Sequence, residues 1–268
     1  MDRDIKYLII PDVHGRDFWK TPVEETLLNS DGRVIFLGDY LDPYAYEWQA
    51  RGADFDYYQH ALDGFKQILK IKDQDPERVT LLIGNHDCGY ALGDDICSCR
   101  MDRVHRHEIE ELFQDNWQKF RLAEECTLGD RHFIFSHAGI LKGWADRVWG
   151  EEELSSGNFN VVDNLNNAWL VSHYGILDAL GMYDGYRGYL GYKHGSPVWS
   201  DIRSWTEVTP EETFGFNICG HTQCEVPVVL DQIADLDCRK AFYLNSNGDI
   251  CDWDSDEVLQ KTRRDEDQ

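Results

Sequence analysis

Leu81-Leu82-Ile83-Gly84-Asn85-His86-Asp87 reads as a short buried strand running into a tight turn. The apolar run at 79–83 has the length and composition of an interior strand. Gly84 lets the backbone turn sharply where a Cβ would clash. An amide, an imidazole and a carboxylate follow at once. Open α/β sheets bind ligands outside the carboxyl ends of their strands, so these groups stand where a ligand would sit. One such segment is first of all a turn. Its repetition along the chain gives it a chemical meaning.

Upstream, residues 5–11 read as a strand ending in Asp12-Val13-His14-Gly15. Asp12 and His14 are two apart, so in extended chain they point the same way. Residues 33–37 form a strand that ends in Gly38-Asp39, with Asp42 close behind. Downstream, 131–135 runs into Ser136-His137 and 214–219 into Gly220-His221. Helical periods are expected over 21–29, 54–72 and 105–125, with a further helix within 164–180. Residues 240–244 and 249–254 should pair as a hairpin through a type I′ turn at Asn247-Gly248. Strands alternating with helices, and a terminal hairpin, predict an α/β fold with a mixed sheet.

The chain has 268 residues and a formal net charge of -24. No repeat or low-complexity linker divides it, which predicts one domain over 1–258 and a polar tail over 259–268. The acidity argues against a nucleic-acid partner, which needs a basic face, and against an anionic membrane surface. The start lacks the pattern of a signal peptide. No apolar run approaches the roughly 20 residues that span a bilayer. The eight cysteines include no Cys-x-x-Cys pair, and a chain of this size does not need staples, so reduced, structural thiols are expected. Together these features predict a cytoplasmic protein. An anionic substrate would then need a local positive centre, which bound metal ions can supply.

Five strand ends carry groups able to bind metal: Asp12 and His14, Asp39, Asn85 and His86, His137, and His221. Mixed oxygen and imidazole donors suit Mn, Fe, Zn, Co or Ni. A calcium cage would not use four histidines. A structural zinc site would use thiolates. The donors outnumber the four of one tetrahedral ion, which favours two ions bridged by a carboxylate.

Asp-x-His, Gly-Asp, Gly-Asn-His-Asp, a later His and Gly-His together resemble the calcineurin-like metallophosphoesterases. Gly38-Asp39-Tyr40-Leu41-Asp42 and Trp199-Ser200-Asp201 are similar to the phosphoprotein-phosphatase branch and its bacterial relatives. The resemblance implies two mixed β-sheets packed as a sandwich and flanked by helices. It implies that Asp12, His14 and Asp39 hold a first metal, and that Asp39 bridges to a second held by Asn85, His137 and His221. His86 would be the general acid and Asp42 would orient it. The implied activity is hydrolysis of a phosphomonoester, on a phosphorylated small molecule or a phosphoprotein, through a hydroxide shared by two ions such as manganese. Asn85 would coordinate without adding negative charge and leave the site more positive for phosphate.

Two positions depart from the family pattern. Gln223 stands where many members have a second histidine after Gly-His. Pro43 stands where the phosphoprotein-phosphatase branch has a phosphate-clamping arginine, so that clamp is missing or supplied elsewhere, with Arg203, Arg51, Arg100 and Arg103 as candidates. The tyrosines at 40, 44 and 46, Trp48, and the tyrosines at 183, 186, 189 and 192 motivate a nucleotide or dinucleoside polyphosphate as an alternative substrate. The missing clamp motivates a non-catalytic scaffold. His60, His105, His107, His132, His173 and His194 match no motif and read as ordinary surface or core histidines.

Overall fold

The computed structural model describes residues 3–93, 100–171 and 195–262. Two mixed sheets are present. In the first, β1 (Tyr7–Ile10), β2 (Arg33–Phe36), β3 (Val79–Leu82) and β4 (Phe120–Arg121) run parallel, and β10 (Phe242–Leu244) and β11 (Ile250–Asp252) add an antiparallel hairpin beside β1. In the second, β6 (Arg131–Ser136), β7 (Phe216–Cys219) and β9 (Ile233–Asp235) run parallel. They are flanked by antiparallel β5 (Ala123–Leu128) and β8 (Val228–Val229).

Side-chain alternation explains the layering. Ile9, Ile35, Leu37 and Leu82 from the first sheet meet Phe133, Phe135, Ile218 and Ala234 from the second in one core between the sheets. Their strand neighbours Leu8, Ile10, Val34, Phe36 and Leu81 point the other way, into a larger core. There they pack with α1 (Lys20–Asn29), α2 (Tyr57–Gln74) and α4 (Arg106–Asp115) through Val23, Leu62, Phe65, Ile68, Ile109 and Phe113. A strand that is apolar on both faces is what a sheet covered on both sides requires. The carboxyl ends of β1, β2, β3, β6 and β7 carry the polar segments into the site.

The structure corrects four local readings. The helix expected over 105–125 ends at Asp115, and the chain passes through a 3-10 turn, Trp117–Lys119, into β4 and β5. The segment after Gly84 is not a free turn but the first turn of α3 (Asn85–Leu92). The terminal hairpin is closed by three residues, not two: Asn245 N donates to Asp249 O and Gly248 N to Asn245 O, with Gly248 alone at positive φ, 79°. That is a type I turn followed by a left-handed glycine rather than type I′. Residues 259–262, assigned above to the polar tail, join the fold: Leu259 packs on the inter-sheet core, and Thr262 N donates to Val229 O. The helix expected over 164–180 appears as α7 (Val161–Val171), and its remainder falls outside the described residues. Among the described residues no helix is long and apolar enough to cross a membrane, and no two cysteines are joined in a disulfide.

Candidate metal centre

The sequence placed its candidate ligands on segments up to 209 residues apart, and the fold brings them together. The loops after β1 and β2 are knitted by their backbones: His14 N donates to Asp39 O (2.8 Å) and Gly15 N to Tyr40 O (3.0 Å). Asp87 fastens the loop after β3 to them. Its carboxylate accepts from Asp39 N (2.7 Å), Tyr40 N (3.1 Å) and Gly84 N (2.9 Å). Asn85 and His86 are thereby held in the first turn of α3. His221 N reaches back to both oxygens of Asp12 (3.1 and 3.0 Å), joining the second sheet to the first. A Cβ on Gly84 would overlap Asp39 Oδ1, and one on Gly220 would overlap Asp12 Oδ2. Those two glycines make room for the Asp39 and Asp12 carboxylates.

His14, Asp39, Asp42 and His221 all adopt positive φ, 44° to 76°. Non-glycine residues pay for that conformation and keep it where the surroundings impose it, chiefly at functional sites.

Asp12, His14, Asp39, Asn85, His137 and His221 are all at least nine-tenths buried. Ligand atoms of Asp12, Asp39 and His137 lie within 4.8 Å of one another, and so do those of His14, Asp39 and His86, so Asp39 belongs to both groups. Among the described residues no lysine or arginine pairs with the Asp12 or Asp39 carboxylate. Burial pushes the Asp12 pKa up, opposed by His137. Burial pushes the His14 imidazole well below its usual range, with His86 and Arg16 adding to the effect.

The hydrogen bonds fix where the lone pairs point. His14 Nδ1 is 2.8 Å from Leu41 O, and His137 Nδ1 is 2.9 Å from Leu37 O. A carbonyl only accepts, so both Nδ1 atoms carry the proton and both Nε2 atoms carry a lone pair. Those lone pairs face acceptors. His14 Nε2 lies 3.5 Å from Asp39 Oδ2, and His137 Nε2 lies 2.9 Å from Asn85 Oδ1 and 3.6 Å from Asp39 Oδ1. Acceptor against acceptor, in a buried site rich in carboxylates, is the arrangement a cation organises. Metal-ligating histidines are oriented in this way by carbonyls on their other nitrogen. The donor set therefore fits divalent cations.

A family model described as calcineurin-like phosphoesterase matches residues 5–224, a span that includes every one of these candidate ligands. The chain belongs to the calcineurin-like phosphoesterases. It is 25% identical over 138 residues to a probable serine/threonine-protein phosphatase of Encephalitozoon cuniculi. That match takes in 50% of this chain but 26% of the relative, so the chain spans about a quarter of that protein's length. The solved structure of a cold-active protein tyrosine phosphatase superposes with a TM-score of 0.54 at 16% identity, covering 97% of this chain and 80% of that one. At that identity the likeness shows the fold alone.

His86 stands apart from the other histidines of this phosphoesterase. Its Nδ1 is 2.7 Å from Asp42 Oδ2, and its Nε2 is 3.3 Å from an Arg100 guanidinium nitrogen. A guanidinium only donates, so it meets the Nε2 lone pair and would compete with a cation for that nitrogen. Burial opposes its charged form, but Asp39 and Asp42 outweigh that and raise its pKa above the free imidazole value. Asp42 is in turn fixed by Tyr90, whose hydroxyl donates to Asp42 Oδ1 and accepts from Asp102 N.

The candidate arginines separate clearly. Arg100 lies over the Tyr44 ring (3.7 Å) and donates from Nε to Asp42 O (3.1 Å). Arg203 pairs side-on with Asp201 through two 2.8 Å bonds and is 63% exposed. Arg51 stacks over Trp48 and Phe55, and Arg103 is exposed. Arg100 alone of the four touches His86 in the bonds described. His60, His105, His107 and His132 pair with Asp17, Asp102, Glu111 and Glu125, none of them a site carboxylate; His173 and His194 lie outside the described residues.

Sequence reading missed Tyr90 and a half-buried brace. Arg16 grips Glu47 with two nitrogens and the Asp12 carbonyl with a third, and Arg239 holds Glu47 from the other side. Both depend on partners far away in the chain, and no local pattern reveals them.

Proposed function

We propose that this phosphoesterase hydrolyses phosphomonoesters with two divalent cations, and that a phosphoprotein is its substrate class. Asp12, His14 and Asp39 would hold one cation; Asp39, Asn85, His137 and His221 would hold the other. The carrying observation is the pair of imidazole lone pairs turned on Asp39 and Asn85. When bound, the cations lower the pKa of water and offset charge on the phosphoryl oxygens. The chain's own residues do the rest. When Arg100 turns from His86 to the substrate, His86 takes up a proton at Nε2 and gives it to the departing oxygen, Asp42 holds the other ring proton, and Tyr90 holds Asp42. Arg100 supplies the positive fork that Pro43 cannot, on the leaving-group side. The named activity of the Encephalitozoon cuniculi relative supports the phosphoprotein class. Of the aromatic residues that motivate a nucleotide, Tyr44 packs against His14 and Arg100 at the site, and the tyrosines at 183–192 lie outside the described residues. A scaffold would have no use for a proton carrier braced by two further side chains.

Chelator-stripped protein should hydrolyse neither p-nitrophenyl phosphate nor a phosphoserine peptide. Added Mn, Co, Ni, Zn or Fe(II) should restore both. Full activity after stripping, verified by elemental analysis, would contradict the proposal.

Arg100→Ala should weaken the phosphate ester by the value of a charge-assisted hydrogen bond, about 1.5–3 kcal/mol. At about 1.4 kcal/mol per tenfold that is roughly a 10- to 100-fold loss in kcat/KM. Arg100→Lys should recover part of it, since lysine keeps the charge and loses the fork. Steady-state kinetics on a phosphopeptide checks both variants; an unchanged kcat/KM in Arg100→Ala would remove Arg100 from substrate binding.

A further inference from the structure

One short loop meets the His86–Asp42 pair from two sides. It runs from Arg100 to His105, the residue before α4. Arg100 contacts Asp42 O and His86 Nε2, and Tyr58 Oη donates to Arg100 O (3.4 Å). Two residues on, Asp102 N donates to Tyr90 Oη (2.6 Å). An amide N–H only donates, so the Tyr90 oxygen accepts there and its own proton is left for Asp42 Oδ1. The amide of residue 102 thus decides which way the Tyr90 hydroxyl points. The Tyr90 ring is fully buried and stacks on Phe113 of α4 (6.5 Å), which leaves the hydroxyl little freedom to follow a displaced partner.

The Asp102 side chain aims that amide. It belongs to a residue only 2% exposed. Its Oδ1 accepts from Val104 N (2.9 Å) and His105 N (3.0 Å), and its Oδ2 lies 2.7 Å from His105 Nδ1. An aspartate that bonds the backbone two residues on closes a turn by itself. None of the three contacts touches Asp42, His86 or a metal-site carboxylate.

We infer that Asp102 is a positioning residue for the proton transfer: its carboxylate closes the turn that holds its own amide on Tyr90, and Tyr90 holds Asp42 against His86 Nδ1. This rests on the role proposed above for His86. A side chain that merely starts α4 would affect stability alone. A positioning role ties the loss to the leaving group, because only a poor one needs the proton.

The test uses full-length, Mn²⁺-loaded protein on an alkyl phosphate and on p-nitrophenyl phosphate. Asp102→Ala should lower kcat on the alkyl phosphate by about 10- to 100-fold, the scale of a small misplacement of a reacting group. Its kcat on p-nitrophenyl phosphate should change little. Asp102→Asn should recover most of the alkyl rate, since an amide oxygen still accepts from both backbone N–H groups. Added to His86→Ala, Asp102→Ala should cost nothing more on the alkyl phosphate, because both act through one proton. An unchanged alkyl rate, an equal loss on both esters, no recovery with asparagine, or the full loss repeated on top of His86→Ala would each overturn the inference. Should Asp102→Ala fail to fold, Asp102→Ser replaces it: its hydroxyl can still cap the turn weakly, and the same selective loss is required of it. An unaltered alkyl rate in His86→Ala alone would sink the reading of His86 itself, a separate result.

Discussion

His86→Ala is expected to lower kcat on an alkyl phosphate by about 10²- to 10⁴-fold, the range for losing a positioned general acid. Metal content should not change. An alkoxide is a poor leaving group and needs a proton as the P–O bond breaks; p-nitrophenolate leaves without one. The same variant should therefore keep most of its rate on p-nitrophenyl phosphate. The His86–Asp42 contact of 2.7 Å carries this expectation, since Asp42 fixes the ring and favours its charged form. The pH dependence follows. His86 must be protonated to donate, and its pKa is raised, with Asp39 and Asp42 outweighing the opposing effect of burial. Cations would screen Asp39, but Asp42 remains. The alkyl phosphate rate should then fall on the alkaline side as His86 loses its proton. In His86→Ala that alkaline limb should vanish. An unaltered alkyl phosphate rate in the variant would remove His86 from the mechanism.

Asp39→Asn should do more damage still. Asp39 is the one residue common to both ligand groups, and His14 Nε2 and His137 Nε2 approach it from opposite oxygens. Replacing the carboxylate should weaken both proposed cation sites at once. Activity should fall by about 10³-fold or more, past the 10²–10³ typical of removing one electrostatic stabiliser. The Asp39 backbone bond to Asp87 is untouched by the substitution, so the fold should survive. Elemental analysis should find fewer than two ions per chain, and circular dichroism should match wild type. Wild-type metal content in this variant would contradict the bridging role.

The strand ends were legible because each combines two local signals, a buried apolar run and a polar group directly after it. Five of them in chain order could be read before any coordinates, and the fold converges all five. Legibility failed where the deciding partner is distant. Trp117 and Phe120 keep a helical spacing with Phe113, so residues 105–125 read as one helix. Yet Trp117 stacks on Trp169 at 3.8 Å, Phe120 pairs with Leu81, and β5 forms by pairing along its whole length with β6. Tertiary pairing overrode helical propensity there. Asp87 looked like part of a turn, although its three backbone bonds are what set the site. Tyr90 and Arg100 act on Asp42 from 48 and 58 residues away. None of these has a signature in sequence spacing.

The most direct measurement is a crystal structure of the metal-reconstituted protein, with anomalous difference maps collected on both sides of a metal absorption edge. The account predicts two peaks about 3.5–4 Å apart, the spacing of two-metal sites. Asp39 should lie between them, with Asp12 and His14 on one ion and Asn85, His137 and His221 on the other. A single peak, or two peaks that do not share Asp39, would contradict it.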